Sequence, residues 1–296
     1  MHSKSIRYFA FGGGGTRGTA YGAAIHEWIQ LTKYNPTLLL KGCVGTSIGA
    51  LFAAAMVVGL PPDKILAITK QTNLVDIVNI DITNLWSHWG FDNGGSIVSW
   101  IEQFIGTQTF MEMYESTGRI LEVVVTNLNT GEVEYLSYKN APNMKVSIGV
   151  SISMCLPPVF SPKKIGSSLY IDGGLLDNFP IKRFPPEETL GFRVKWGHVP
   201  QLDTFEHYFS RAMYCATVVG TIHQYNALSD EYKKRSITID CGDVATINWR
   251  IPETTLHQLL SRGRMAVRQF VLDENVMSCN NSENMKVTNT VGTQTS

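Results

Sequence analysis

The sequence predicts an α/β fold in which a mostly parallel central sheet is flanked by helices. Short β-rich runs alternate with helical runs from the first residues onward, and glycine-rich turns separate the two kinds of run. The chain has 296 residues, of which 44% are hydrophobic and 17% charged, so it can bury a large core. These observations indicate an ordinary globular protein with one substantial sheet.

The N-terminal part contains two consecutive strand–turn–helix units. Ile6–Phe11 is β-rich and ends at a run of glycines, after which Thr19–Leu31 carries apolar residues at helical spacing. Leu38–Val44 is predicted as a second buried strand, and Ile48–Val58 as an alanine-rich helix. Because a helix connects each strand to the next, the strands are expected to pair in parallel.

The middle of the chain predicts several helices and one hairpin. A segment that begins with two prolines opens the first of them, and a turn at residues 129–131 joins the hairpin strands. The predicted elements are helices at Pro61–Thr72, Ile97–Ile105 and Phe110–Glu115, and strands at Arg119–Leu128 and Glu132–Ser137. An aromatic cluster at Leu85–Phe91 lies among them. It could face lipid as a lid, but we expect it to form part of the core or a packed loop, because aromatic side chains dominate buried area.

The C-terminal half continues the alternation and then changes composition. The patterns predict helices at Met144–Met154, Phe205–Tyr225 and Leu256–Leu272, and strands at Ser168–Ile171, Thr189–Val194 and Ser236–Asp240. Residues 278–296 are dominated by Asn, Ser and Thr and are expected to be disordered. No repeat or linker divides the rest, so we predict a single domain over residues 1–277.

Composition argues against several classes of protein. The formal net charge is +0, which does not favour nucleic-acid binding. The five cysteines are scattered without a CxxC pair, which predicts neither a disulfide framework nor a metal site, and favours a reducing compartment. Residues 42–62 are uncharged, but their glycines indicate a strand, a turn and a helix rather than a membrane span. We therefore expect a cytoplasmic protein that contacts membranes only peripherally.

The first chemical motif is GTSIG at residues 45–49, which matches GxSxG. In that pattern the serine occupies a strained turn between a strand and a helix, and small neighbours let the chain double back. The strand before Ser47 and the helix after it are the context that the pattern requires. Ser47 is therefore the candidate nucleophile, and the alternative is an ordinary packed turn that contains a serine.

The glycine loop is the candidate oxyanion hole. Glycines leave backbone N–H groups free to point into a cavity, and the N–H after a nucleophilic serine is a further donor. The candidate donors are Gly13, Gly14, Gly15 and Ile48. The same loop also matches GxGxxG of dinucleotide-binding folds, but that fold needs an acidic residue at the end of the second strand, where none is found. A phosphate-binding P-loop would need a GK[ST] sequence, which is also missing.

A serine nucleophile also needs a base, and the residues leave two kinds of candidate open. Four of the seven histidines fall inside predicted helices, and none follows a strand in a glycine-flanked loop. Asp172 ends a predicted strand and precedes two glycines, which would place its carboxylate at the edge of the sheet. An aspartate in an ordinary turn is an equally good description of the same pattern.

Taken together, these segments resemble the patatin-like phospholipase family. The resemblance is carried by GGGTRG at residues 13–18, GTSIG at 45–49 and DGGLLDNFP at 172–180, in the family's order and spacing. Residues 151–162 also resemble the segment that precedes the family's DGG. The resemblance covers residues 6–195. It departs from the family pattern at Gly12, where members often carry a polar or acidic residue.

The resemblance implies a three-layer patatin-like sandwich and a lipid acyl hydrolase of the phospholipase A type. It assigns Ser47 as nucleophile, Asp172 as proton acceptor and the glycine loop as oxyanion hole, with neither a metal nor another cofactor. Arg17 would anchor the glycine loop. The expected partner is a lipid substrate reached by transient contact with a membrane interface. The alternative is a non-catalytic lipid-binding or scaffold protein that keeps the fold.

Overall fold

The structure is a computed structural model that describes most of the chain. The described residues are 5–71, 77–195, 203–204, 207–208, 211–212, 215, 219–245, 247–248 and 250–291. The first part of the helix predicted at Phe205–Tyr225 lies largely outside them.

Within the described residues, eight strands form one sheet. Its order is β5-β6-β3-β2-β1-β7-β8, and β4 pairs with β3. The β1–β2, β1–β7, β2–β3 and β7–β8 pairs are parallel, whereas β3–β4, β3–β6 and β5–β6 are antiparallel. The strands are β1 Tyr8–Phe11, β2 Gly42–Thr46, β3 Ile120–Asn127, β4 Glu132–Leu136, β5 Lys163–Ile165, β6 Ser168–Asp172, β7 Thr189–Lys195 and β8 Ser236–Asp240. The predicted α/β fold with a mostly parallel sheet is confirmed, as is the β3–β4 hairpin.

The predicted helices that fall within the described residues are present, although several begin or end at other residues, whereas the helices at Pro36–Leu39, Ile82–His88 and Asp230–Lys234 were not predicted. The described helices are α1 Ala20–Thr32, α2 Pro36–Leu39, α3 Ile48–Val58, α4 Pro62–Lys70, α5 Ile82–His88, α6 Gly95–Ile105, α7 Phe110–Thr117, α8 Val146–Ser153, α9 Val219–Asn226, α10 Asp230–Lys234 and α11 Glu253–Val291. A short 3₁₀ turn at Gly15–Thr19 joins the glycine loop to α1.

The sheet separates two hydrophobic clusters. Phe9 and Phe11 point into the larger cluster, which includes residues of α1, α3, α6 and α11, whereas Ala10 between them points into a smaller one. On β3, Val123 likewise belongs to the larger cluster and Val124 to the smaller one. The alternation follows from the two-residue period of a strand, and burial on both faces explains why these strands are almost uniformly apolar.

One topological feature positions the candidate site. β4 pairs with Val123–Asn127 of β3, so it occupies one edge of β3 over those residues. β2 and β6 must therefore both pair along the other edge. β2 runs parallel to β3 and ends with Thr46 opposite Val124, and β6 runs antiparallel and ends with Asp172 opposite Val125. The carboxyl ends of β2 and β6 thus meet head to head at adjacent positions of β3.

The segment that follows β7 packs against the N-terminal part of the chain. Arg268 in α11 donates to the Glu27 carboxylate of α1 over 2.6 Å, and the Asn248 N–H donates to the Thr16 hydroxyl over 2.9 Å. Within the described residues, no helix is both long enough and apolar enough to cross a membrane.

The helix α11 runs into the segment for which composition predicts disorder. It is helical through Val291, whereas disorder is expected from residue 278 onward. Extension of a helix beyond a packed start requires no new nucleation, so polar residues can continue it. The boundary of the single domain at residue 277 stays a prediction.

Two further local differences have plain physical causes. The strand predicted from Leu38 starts later, at Gly42, because Asn35 caps a single helical turn that has Pro36 at its first position. The two tryptophans of the aromatic cluster are exposed rather than buried: Trp86 is 85% exposed and Trp89 is 62% exposed, while Leu85 and Phe91 are half-buried. That interpretation was wrong because the cluster lies on α5 and its C-cap, and α5, all of which is described, buries none of its residues.

Candidate active site

Ser47 occupies a strained turn between β2 and α3. Its backbone has φ 54° and ψ −131°, a conformation that non-glycine residues rarely adopt. Such strain costs on the order of 1–3 kcal/mol and persists only where the surroundings impose it. Because Ser47 is the N-cap of α3, its hydroxyl lies at the positive end of the helix dipole. The side chain is half-buried and can be reached from solvent.

The glycines on either side of Ser47 are required by close packing. A Cβ atom on Gly45 would lie 2.3 Å from the carbonyl oxygen of Gly49. A Cβ on Gly49 would lie 2.5 Å from the carbonyl oxygens of Phe11 and Gly12. These contacts are too short for any side chain, so only glycine lets α3 fold back against β1 and β2.

Asp172 is the last residue of β6 and is almost fully buried, with 3% of its surface exposed. One carboxylate oxygen accepts the Gly174 N–H over 2.7 Å. Burial raises the pKa of Asp172 to about 7, because desolvation disfavours the charged form, and hydrogen bonds from Gly174 and Ser47 only partly offset this. The carboxyl group can therefore take up and release a proton near neutral pH.

Ser47 and Asp172 lie together. The Ser47 hydroxyl lies close enough to the Asp172 carboxylate to lower its pKa. Their proximity follows from the sheet, since β2 and β6 end head to head along β3. The loop after Asp172 reinforces it, because the Asp177 carbonyl accepts the hydroxyl of Thr46, the residue before Ser47, over 2.9 Å.

The glycine loop packs directly against the turn that contains Ser47. A Cβ on Gly13 would lie 3.3 Å from the Cβ of Ser47 and 2.3 Å from Oδ1 of Asn178. The Gly13 N–H, however, donates to the Asn178 carbonyl over 2.9 Å, so this amide is already engaged. Gly13 thus differs from the free donor that the sequence predicts. A loop glycine can hold the backbone close to Ser47 while its N–H donates to the loop that follows β6.

The remaining predicted donors are free of protein acceptors. Among the described residues, no backbone or side-chain acceptor is bonded to the amide N–H of Gly14, Gly15 or Ile48. Gly15 begins the 3₁₀ turn and Ile48 begins α3, and the first amides of a helix have no partner within it. These three N–H groups remain available for an anionic oxygen.

Arg17 lies behind the glycine loop and is 1% exposed. Its Nε donates to the Val244 carbonyl over 2.5 Å, and its own carbonyl accepts from the Cys241 thiol. Burial lowers the pKa of Arg17 to about 10, which leaves it cationic at neutral pH. This placement fits an anchor that ties the glycine loop to the segment after β8.

Sequence reasoning assigned no role to two residues that hold this arrangement. Asn178 bonds the glycine loop twice, because its carbonyl accepts the Gly13 N–H and its Nδ2 lies 3.4 Å from the Gly13 carbonyl. The Ser153 hydroxyl accepts the Ser47 N–H over 2.8 Å and donates to the Val124 carbonyl over 2.6 Å. Ser153 thereby links the backbone of Ser47, just after β2, to the backbone of β3 next to the point where β6 ends. Both residues lie in segments that resemble the family, which was the only signal for them.

We expect Ser153→Ala to lower kcat about tenfold and to destabilise the fold by about 1–3 kcal/mol, because a buried N–H and a buried carbonyl lose their partner. Ser151→Ala is the matched control. Ser151 is equally buried on α8, but its hydroxyl bonds only the Ile148 carbonyl of its own helix. Ester hydrolysis and urea unfolding of both variants check this prediction. Equal kcat values for the two variants would show that Ser153 does not position Ser47.

Four of the five described histidines have polar partners other than Ser47. His26 bonds Asp63, His207 bonds Asp203, and His257 lies 3.6 Å from Glu253. His88 bonds Ser87, and His223 is exposed on α9. His2 and His198 lie outside the described residues. Over the described part of the chain, no three His, Cys, Asp or Glu side chains are grouped as a metal site requires.

Known proteins provide further evidence on the family and the fold of this chain. The family model described as "Patatin-like phospholipase" matches residues 9–185. Protein R571 of Acanthamoeba polyphaga mimivirus is 22% identical, over 92% of this chain and 96% of its own length. The "Probable lipid hydrolase 463L" of Invertebrate iridescent virus 6 is 29% identical, over 61% of this chain and 64% of its own. The crystal structure of VipD from Legionella pneumophila matches with a TM-score of 0.60 and 16% identity, covering 91% of this chain and 67% of that chain, which supports the fold.

Proposed function

This chain belongs to the patatin-like phospholipase family, and we propose that it is a lipid acyl hydrolase that cleaves fatty acyl esters of glycerolipids through Ser47 and Asp172. The observation that carries the proposal is the head-to-head meeting of β2 and β6, which places a strained serine beside a buried carboxylate. The name of the relative 463L, a probable lipid hydrolase, supports the substrate class.

In the first half-reaction the Ser47 hydroxyl oxygen attacks the ester carbonyl carbon. Asp172 takes the hydroxyl proton, and the carbonyl oxygen becomes an oxyanion that the free N–H groups of Gly14, Gly15 and Ile48 stabilise. Because the Gly13 N–H already donates to the Asn178 carbonyl, Gly13 holds the loop against Ser47 and does not donate to the oxyanion. The tetrahedral intermediate then expels the lipid alcohol, whose oxygen takes the proton from Asp172, and an acyl-Ser47 ester remains.

In the second half-reaction a water molecule attacks the acyl ester. Asp172 accepts a proton from that water, the same N–H groups hold the new oxyanion, and collapse of the intermediate releases the fatty acid. Ser47 leaves as an alkoxide and regains its proton from Asp172. A carboxylate at its ordinary pKa is a weak base for an alcohol, and burial strengthens this one by raising its pKa to about 7.

Incubation of the purified chain with a panel of phospholipid and triacylglycerol dispersions tests the proposal. We expect mass spectrometry to detect free fatty acid from at least one glycerolipid class, and to detect none with Ser47→Ala. We also expect calcium and zinc chelators to leave the rate unchanged, because the proposed chemistry uses side chains and amides alone. Release that persists in Ser47→Ala, or that stops on chelation, would contradict the proposal.

A further inference from the structure

We propose that residues 80–89, here called the tryptophan segment, form a docking surface for uncharged or zwitterionic lipid interfaces. The proposal rests on the proposed lipid acyl hydrolase function and adds the surface through which the protein meets its aggregated substrate. Large apolar side chains of this segment are strongly exposed: Trp86 is 85% exposed, Ile82 70%, Trp89 62% and Ile80 53%.

The exposure is unusual because the segment is otherwise ordered. Asp81 caps α5 by accepting the Thr83 N–H over 2.8 Å, and Ile82 and Trp86 are four positions apart, so they share one face of the helix. A helix as short as α5 is marginal in water unless it packs an apolar face. Yet α5, which is described in full, buries none of its residues. Only Asn84 and Leu85 are half-buried, so most of the helix, including Ile82 and Trp86, has no cover.

The segment is held firmly at its base. Ile77 is buried before it, and the buried Asp92 after it accepts the backbone N–H groups of Asn79 and Gly94. Phe91 and Asp92 donate their N–H groups to the carbonyls of Pro158 and Val159, over 2.9 and 3.0 Å. The exposed tip thus projects from a fixed platform.

That platform is connected to the candidate active site. Pro158 lies three residues after Cys155, whose carbonyl accepts the N–H of Asp172 over 3.0 Å. The chain that supports the tryptophan segment is therefore the chain that supports the end of β6. Docking at the segment would hold the active site close to the surface from which a lipid must be extracted.

Charge identifies the kind of interface. The sequence from Ile77 to Gly95 contains no lysine or arginine, and the exposed Asp81 adds negative charge to the tryptophan segment. Asp92 is buried, and Lys163 donates to the Asn93 carbonyl, outside residues 80–89. Binding to anionic membranes relies on basic residues near the apolar face, so an anionic surface would repel rather than attract this segment. Tryptophan prefers the boundary between acyl chains and headgroups, because its ring is apolar and its N–H is polar. A zwitterionic or neutral lipid surface fits both observations.

Vesicle binding tests the inference. The test variant is Trp86→Ala with Trp89→Asn, since Trp89 has φ 61° and asparagine tolerates that conformation. The control variant, Leu38→Ala with Met265→Ala, removes side chains that are 77% and 63% exposed elsewhere. We expect the wild-type protein and the control to sediment with phosphatidylcholine vesicles. The test variant should bind about 10- to 100-fold more weakly, because it lacks the two large apolar side chains whose transfer from water into the lipid surface favours binding.

Three results would overturn the inference: unchanged vesicle binding by the test variant, binding that requires phosphatidylserine, or a wild-type dimer in sedimentation velocity that the two substitutions dissociate. Hydrolysis of a dissolved short-chain ester separates this inference from the proposed function. We expect that rate and the melting temperature to be unchanged in the test variant. If the wild-type protein binds vesicles through the segment but cleaves no ester, the proposed function fails and the docking surface stands.

Discussion

Ser47→Ala is expected to reduce ester hydrolysis about 10⁴- to 10⁶-fold, the loss that follows removal of a serine nucleophile in other hydrolases. No acyl-enzyme can form without the hydroxyl oxygen, and only the oxyanion donors and substrate binding would contribute residual rate. The fold should survive, because alanine fits wherever serine fits and the Ser47 N–H keeps its bond to Ser153. Initial rates with a dissolved ester and with phospholipid vesicles check this prediction.

The control for Ser47→Ala is Ser151→Ala, which removes a buried hydroxyl of α8 that bonds the Ile148 carbonyl of its own helix. A loss of less than tenfold in Ser47→Ala, in protein that melts at the wild-type temperature, would mean that another group attacks the ester. Equal losses in both variants would instead indicate a general effect of removing a hydroxyl from the core.

Asp172→Asn is expected to lower kcat about 10²- to 10⁴-fold, which is the usual contribution of a general base. An amide cannot accept the serine proton, although its oxygen can still accept the Gly174 N–H. The double substitution with Ser47→Ala should be no slower than Ser47→Ala alone, because the two groups act as a unit. Strictly additive losses in the double variant would show that the residues act independently.

The pH dependence of the wild-type enzyme follows from the same carboxyl group. Asp172 acts as a base only when it is deprotonated, and its pKa is raised to about 7. We expect kcat/KM to rise about tenfold per pH unit below pH 7 and to level off above it. The residual activity of Asp172→Asn should lack this step. A step of unchanged size in Asp172→Asn would assign the titration to another group, such as a histidine.

The raised pKa also predicts that Asp172→Asn stabilises the fold. In the unfolded chain the carboxyl releases its proton near its ordinary pKa of 3.8, but in the folded chain only near pH 7. The folded state therefore holds the extra proton between these values, and the free energy of unfolding of the wild-type protein falls as the pH rises through this window. At pH 8 the cost is on the order of 4 kcal/mol at most, at about 1.4 kcal/mol per pH unit. Urea unfolding should find Asp172→Asn the more stable protein at pH 8, and the difference should vanish near pH 4.

Much of the fold could be predicted because β1, β2 and β3 are apolar in sequence and buried in the structure. Each is a short apolar run, and the turn that follows β2 contains glycines that tight packing requires. Prediction failed for two apolar segments, for different reasons. Leu38 is apolar, but Asn35 caps a helical turn that contains Leu38. Trp86 is aromatic, but nothing in the local pattern reveals that α5 lies outside the core.

Some features of the candidate site could likewise be predicted from the local sequence, and others could not. Ser47 and Asp172 each stand at a strand end beside glycines, and that local pattern could be recognised. Their meeting depends on β6 reversing direction along β3, which no spacing encodes. Ser153 was missed because a serine within an apolar helix has no distinctive pattern, and its importance comes from the strand ends that it bridges. The engaged N–H of Gly13 likewise depends on Asn178, far along the chain.

The most direct measurement is covalent labelling with a fluorophosphonate, a mimic of the tetrahedral intermediate, followed by peptide mapping. If Ser47 attacks carbonyl carbon with help from Asp172, the folded wild-type protein will carry one adduct, located on Ser47, and Asp172→Asn will acquire it far more slowly. Folded protein that stays unlabelled, or that carries the adduct on a different residue, would contradict the account.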